Sequence, residues 1–249
     1  MKKLLLVFAV ALIAATGLTL SFQAQIGCAL GKAVSCREAG DSFFSEDNYD
    51  AERALGYYLR ALYLGGEDPY TLYQTGRLYF ILGKTQFSIF YLDKTLQLAP
   101  NFYQALYMRG LTNSFAHRLD QAEADFKVYL SVKPEVWAGY NDLAWVYFEK
   151  EDYKSLDRVA REGLGRFPGN PWLLNVLGLG LMNRGFYPES IIAFKDSLVG
   201  FERVKTQEWG MAYPGDSPKT WAEGLQNAIL AIKANIVLTE EKMQKSVGQ

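Results

Sequence analysis

Residues 72–79 read LYQTGRLY, and Pro100 follows 24 residues after the glycine of this stretch, Gly76. Prolines recur at the same 34-residue step at Pro134 and Pro168, and a residue with little or no side chain stands 24 residues before each of them. A fixed period of this length is the sequence signature of stacked supersecondary units. The chain is therefore predicted to be an array of similar units.

Each period contains two amphipathic helical segments. Apolar residues fall at helical spacing over residues 70–82, Gly83 and Lys84 interrupt the pattern, and residues 87–98 are helical again before Pro100. Two helices joined by so short a turn can approach closely only where one of them lacks a bulky side chain. An aromatic residue eight positions before the proline is predicted to fill the space beside that small residue.

These residues resemble the tetratricopeptide repeat (TPR), whose signature is a Trp or Leu, Leu-Gly and Tyr, followed by Ala-x3-Phe and Pro. The match is carried by LYQTGRLY with Pro100, by Ala122-x3-Phe126 with Pro134, and by LNVLGLGL at 174–181 with a Ser-x3-Phe that ends at Phe194. It departs from the family where Asn113 replaces the usual Tyr and Ala160 the usual aromatic.

The resemblance implies an all-α fold, a TPR-like right-handed superhelix of antiparallel helical hairpins, over residues 33–204. Five units are expected: an irregular 33–66, then 69–102, 103–136, 137–170 and 171–204. Another kind of helical-hairpin array is the neighbouring interpretation. After the last unit, residues 205–217 are predicted to be a loop and 218–247 a C-terminal capping helix, whose apolar stripe begins at Trp221. The alternative is that this last helix binds a partner.

The N-terminal segment, residues 1–27, is predicted to be a signal peptide or an N-terminal hydrophobic helix that anchors the chain in a membrane. Lys2 and Lys3 precede an uncharged apolar run over residues 4–22, and the next charge is Lys32. That run is longer than the usual signal core and close to a spanning length. Both alternatives place the repeats on the extracytoplasmic side, so the protein is expected to be membrane-anchored or exported.

Two cysteines, Cys28 and Cys36, follow the apolar run. They could form a disulfide outside the reducing compartment. Alternatively Cys28 carries a lipid, because Ile26-Gly27-Cys28 faintly resembles a lipoprotein processing site, or the two thiols are unpaired.

In TPR proteins the first helix of each unit lines a concave groove, and carrying these positions over gives a set of peptide-binding candidates. They are Tyr70, Tyr73, Arg77, Phe80, Tyr107, Leu111, Phe115, Asn141, Trp145, Phe148, Trp172 and Asn175. The set is aromatic and rich in amides, which suits a peptide whose backbone groups Asn141 and Asn175 would hold. The alternative is that rings such as Trp145 and Phe148 pack against neighbouring helices instead.

Composition excludes several classes of function. Lys and Arg number 26 against 27 Asp and Glu, so a nucleic-acid partner is not expected. One His and two Cys exclude most zinc sites and most catalytic triads, and no nucleophile–base pair or phosphate loop stands out, so no metal or cofactor is expected. A carboxylate clamp is not expected either, because Arg77 is the main cation among the groove positions.

The sequence thus predicts a non-enzymatic protein–protein interaction scaffold of the cell envelope. Its groove would bind an extended or helical peptide segment of another protein, and residues 4–22 would meet the membrane. Two alternatives remain: an envelope lipoprotein that assists assembly of a pilus or secretion complex, and a binder of small ligands or glycans.

Overall fold

The computed structural model of this protein describes residues 20–45, 48–212 and 218–247, and these residues contain helices and turns but no strand. Residues 20–29 are helical and are here α1. The helices that follow are α2 Ala33–Phe43, α3 Ala51–Gly65, α4 Pro69–Ile81, α5 Thr85–Leu98, α6 Tyr103–Phe115, α7 Leu119–Val132, α8 Trp137–Glu149, α9 Tyr153–Arg166, α10 Pro171–Asn183, α11 Tyr187–Phe201, α12 Thr206–Ala212 and α13 Trp221–Val247. The predicted all-helical fold of stacked hairpins is confirmed, while its right-handed superhelical course stays a prediction.

Side-chain caps and prolines determine where several helices begin. The Asp68 carboxylate accepts a hydrogen bond from the Thr71 amide, and Pro69 occupies the first turn of α4. Asn170 caps α10 in the same way, with Pro171 following it. Such a cap satisfies an amide that has no partner within the helix, and proline there loses no hydrogen bond.

A residue in the left-handed region ends the first helix of four hairpins, and it recurs every 34 residues. These residues are Gly83 (φ 70°), His117 (φ 53°), Glu151 (φ 55°) and Gly185 (φ 81°). In each turn the amide of the next residue donates back to a carbonyl five residues earlier, as Lys84 does to Tyr79. This hydrogen bond closes the helix end and turns the chain into the second helix.

Glycines bring the two helices of a hairpin together, as the sequence predicted. A Cβ on Gly76 would lie 2.8 Å from Leu92 Cγ, and one on Gly178 would lie 2.6 Å from the Phe194 ring. Leu92 and Phe194 are fully buried at these contacts. Each glycine is therefore needed for the close approach of its helix pair.

The described residues form two compact units, divided between Ala105 and Leu106. In the first unit α2 packs on α3, α3 on α4 and α4 on α5. The Tyr58 ring is fully buried there and covers Gly40. A disulfide joins Cys28 of α1 to Cys36 of α2, with 4.4 Å between their Cα atoms.

In the second unit the order of packing follows the chain from α7 to α11, and α8 also contacts α10. Its core is made of side chains from α8, α9 and α10, with Leu156, Leu173 and Val176 fully buried. α13 packs against α11, and Ile232 at the middle of its apolar stripe is 1% exposed.

The segment 205–217, predicted to be a loop, contains α12 over Thr206–Ala212. The Glu208 carboxylate accepts from the Lys205 amide, and Trp209 is buried against Gly224 of α13 and within 6.4 Å of the Phe201 ring. Burial of this indole stabilises a short helix that its glycine disfavours. The capping segment predicted from 218 begins with a 3-10 turn, Pro218–Thr220, before α13.

Most of the apolar run 4–22, which carries the predicted signal peptide or membrane anchor, lies outside the described residues. Within the described part of the chain, no helix combines the length and apolar character that crossing a membrane requires.

Candidate functional site

The predicted groove residues all lie on first helices of hairpins. α4 carries Tyr70, Tyr73, Arg77 and Phe80; α6 carries Tyr107, Leu111 and Phe115; α8 carries Asn141, Trp145 and Phe148; α10 carries Trp172 and Asn175. Their exposure differs widely. Phe115 is 69% and Tyr70 38% exposed, whereas Asn141 and Trp172 are buried at 6% and 8%. The remaining members of the set are half-buried.

In the first unit the predicted residues belong to a hydrogen-bonded network built around Asp41 of α2. The Asp41 carboxylate accepts from the hydroxyls of Tyr58 and Tyr70, the latter at 2.7 Å. Gln74 donates to the Tyr70 oxygen, and Arg77 donates to Gln74. Burial and the Asp41 hydrogen bond both raise the pKa of Tyr70, so its hydroxyl stays a donor.

Arg77 is held between aromatic rings. Its guanidinium carbon lies 4.7 Å from the Phe44 ring centre and 5.7 Å from that of Tyr73, which in turn packs on Phe102 at 5.0 Å. Such contacts orient the guanidinium while its remaining N–H groups can still donate. The first helices of this unit therefore present a fixed cation among phenol groups.

In the second unit the central polar group is Asp142, which was not among the predicted groove residues. The Tyr107 hydroxyl of α6 donates to Asp142 Oδ2 at 2.5 Å, and Asn141 Nδ2 donates to its Oδ1 at 3.0 Å. Burial raises the pKa of this half-buried carboxyl to about 6, although both hydrogen bonds lower it. The feature of the sequence that could have indicated Asp142 is its position next to Asn141 on the same helix.

Three buried polar atoms of this unit have no hydrogen-bond partner among the described residues. They are the side-chain oxygens of Asn141 and Asn175 and the indole Nε1 of Trp172. The two asparagines occupy equivalent positions one period apart, on α8 and α10, which contact each other. Buried polar atoms in folded proteins are nearly always satisfied, so these atoms are candidates for ligand contacts.

The aromatic candidates of the second unit pack on one another. Trp145 and Phe148 meet edge to face at 5.4 Å, and Trp172 stacks on Trp137 at 4.6 Å and contacts Phe201 at 4.9 Å. Trp172 is therefore part of the core, whereas Trp145 and Phe148 are half-buried and leave part of their surface exposed. A partner would contact the exposed parts of these two rings.

Nothing in the described ranges, 20–45, 48–212 and 218–247, gathers three or more His, Cys, Asp or Glu side chains as a metal ion would require. The chemistry of the candidate site is hydrogen bonding, charge and aromatic contact.

No protein-family model matches this sequence, and no curated protein is significantly similar to it. Solved structures do share its fold. A MamA fragment from Desulfovibrio magneticus RS-1 is 20% identical with a TM-score of 0.63, over 68% of this chain and 95% of that one. MamA of strain AMB-1 is 16% identical with a TM-score of 0.59, over 71% of this chain and 95% of that one. MamA of strain MSR-1 is likewise 16% identical with a TM-score of 0.59, over 69% and 98%. At this identity the likeness is one of fold.

Proposed function

From this shared fold of stacked helical hairpins we propose that the chain is a non-enzymatic scaffold, which binds a segment of a partner protein along its first helices. The observation that carries the proposal is the pair of buried, unpartnered oxygens on Asn141 and Asn175. An acceptor left unsatisfied in a buried position costs free energy, which a donor from a ligand recovers. Peptide backbones carry such donors at regular intervals.

The spacing of the two asparagines favours an extended segment. Neighbouring packed helices lie about 8–10 Å apart, and an extended chain advances about 3.3–3.6 Å per residue. A few residues of an extended segment would therefore span the distance from α8 to α10, so that Asn141 and Asn175 could each accept from one of its backbone amides. The rings of Trp145 and Phe148 would cover apolar side chains of the same segment.

We also propose that the scaffold belongs to the cell envelope, anchored in a membrane or exported across it. The two lysines before the apolar run 4–22 support this location, as does the Cys28–Cys36 disulfide, since such bonds persist outside reducing compartments. Phe22 and Ile26 of α1 and Leu30 directly after it add support, because these apolar side chains are exposed at helical spacing.

Selection from a random-peptide library displayed on phage, with the full chain as bait, tests the binding proposal. Selected peptides are then measured against the double variant Asn141→Ala plus Asn175→Ala, which we expect to bind at least about tenfold more weakly, about 1.4 kcal/mol. The matched control is Asn101→Ala plus Asn227→Ala, which removes two exposed amides. Equal affinity of both double variants, or no selected peptide, contradicts the proposal. Binding to a glycan array alone favours the glycan-binding alternative.

The intact mass of the protein recovered from its native membranes tests the envelope proposal. A retained anchor gives the full mass, a cleaved signal peptide gives a shorter chain, and a lipid on Cys28 would replace the disulfide. Recovery of full-length protein only from the cytosol, with both thiols reduced, would overturn this location.

A further inference from the structure

We infer that the second unit contains a subsite for a basic side chain of the bound segment, arginine before lysine, with Asp142 as its counter-charge. The inference rests on the proposed function, because it assigns a chemical class to one residue of the segment that the scaffold binds. It goes beyond that function by naming a residue and a specificity that the sequence pattern did not indicate.

The subsite is a cluster of hydrogen-bond acceptors. Asp142 offers two carboxylate oxygens, each of which takes one donor from the protein and has further lone pairs. Asn141 Oδ1 adds a third acceptor beside them, buried and without a partner. The orientation of this amide follows from its network, since its nitrogen must face the carboxylate. A surplus of acceptors selects a ligand group that is rich in donors.

Among the described residues, no Lys or Arg forms an ion pair with the Asp142 carboxylate. Cations of adjoining helices are held by other acidic groups. Arg109 donates to the Asp125 carboxylate at 2.6 and 3.0 Å, and Lys150 contacts Asp120 and Glu123, each at 2.7 Å. A partly buried carboxylate that lacks a counter-ion is unfavourable, and a cation from a partner offsets that cost. The raised pKa of Asp142 agrees with this view.

The surroundings favour a guanidinium over an ammonium. Arginine presents a planar fork of five donors, which matches several acceptors in a row, whereas lysine offers a compact charge. Trp145 lies three residues after Asp142, one turn further along the same side of α8, and Phe148 lies three residues after Trp145. The two rings meet edge to face at 5.4 Å and give the aliphatic stem or the guanidinium a surface to stack on.

The test compares peptides selected from a random library by the wild-type full chain and by two charge-matched variants. Asp142→Asn removes the charge but keeps the shape and the ability to accept from Tyr107. Asp196→Asn removes an exposed carboxylate on α11 and serves as the control. Tryptophan fluorescence and far-UV circular dichroism verify that each variant is folded.

We expect wild-type-selected peptides to share an Arg or Lys at one position. Their dissociation constants should rise at least about tenfold with Asp142→Asn and stay unchanged with Asp196→Asn. The charge-reversal variant Asp142→Lys should instead select peptides with an acidic residue at that position.

The outcomes separate this inference from the proposed function. Peptides that bind through Asn141 and Asn175 but share no basic residue, or that bind Asp142→Asn as tightly as wild type, overturn the subsite and leave the scaffold proposal standing. Selection of no peptide at all overturns both.

Discussion

Replacing Asp142 by asparagine should make the second unit more stable at neutral pH. This prediction tests whether burial of the charged carboxylate destabilises the folded state. Asparagine has nearly the same shape and can still hydrogen-bond to Tyr107, but it carries no charge that burial penalises. If the carboxylate stabilises the fold, replacing it should lower the free energy of unfolding. If it is retained for ligand binding, replacing it should raise that free energy.

The sign and size follow from the pKa of Asp142, which burial raises from 3.8 to about 6. The folded state binds the proton more tightly than the unfolded state, so the contribution to stability is complete below about pH 4 and is lost as the pH rises to about 6. Two pH units at about 1.4 kcal/mol each give an upper bound of about 3 kcal/mol. Asparagine does not titrate, so the substituted chain does not lose this stability as the pH rises. The difference in free energy of unfolding between the variant and the wild type should therefore be near zero at pH 4 and largest at pH 7.

Urea denaturation at pH 4 and pH 7, followed by tryptophan fluorescence, measures this difference. All five tryptophans lie between Trp137 and Trp221, so the signal reports the second unit. Asp196→Asn controls for the change in net charge. If Asp142→Asn lowers the free energy of unfolding at pH 7, or raises it equally at both pH values, the inference that the Asp142 charge destabilises the folded state is wrong.

Three further substitutions and the reduction of the disulfide test the fold. Gly178→Ala should lower the free energy of unfolding by about 1–3 kcal/mol, because its Cβ would meet the Phe194 ring at 2.6 Å. Gly165→Ala, on the open surface of α9, should instead raise the free energy of unfolding by up to about 1 kcal/mol. Equal effects of the two substitutions in urea titrations would contradict the close approach of the helices. Reduction of the Cys28–Cys36 disulfide, which closes a short loop, should destabilise α1 by about 2–3 kcal/mol in hydrogen exchange, and unchanged protection would refute this. His117→Gly should relieve the strain of a non-glycine residue in the left-handed region and raise the free energy of unfolding by about 0.5–1 kcal/mol, which thermal unfolding would show as a higher midpoint. A lowered midpoint would count against that strain.

The hairpin array was predictable because its determinants are local and repeated. Prolines after the second helices, turn residues after the first helices and small residues at the contacts all recur at one spacing, and each acts on its own few neighbours. Gly178 and Phe194 could be paired from sequence because every hairpin brings the same two positions together. The short helix α12 was not predictable, since the burial of Trp209 against α13 decides it.

The candidate site was only partly predictable for the same reason. Family resemblance led to Asn141 and Asn175, but the environment of Asp142 depends on its burial and on a hydrogen bond from Tyr107, which is 35 residues away in the chain. In the first unit the Asp41–Tyr70 hydrogen bond spans 29 residues and starts in the irregular first hairpin. Sequence spacing places such residues on a helix, while their hydrogen bonds and burial depend on how the helices pack.

The recurrence of the left-handed turn at Gly83, His117, Glu151 and Gly185 has a genetic consequence. A 34-residue stretch that starts and ends at two of these turns can be duplicated or excised in frame, because the new junction joins backbone of matching conformation. A gene built in this way can change the length of its product by whole hairpins in a single recombination event. Natural variants of this protein should therefore differ in length by multiples of one period more often than by any other number.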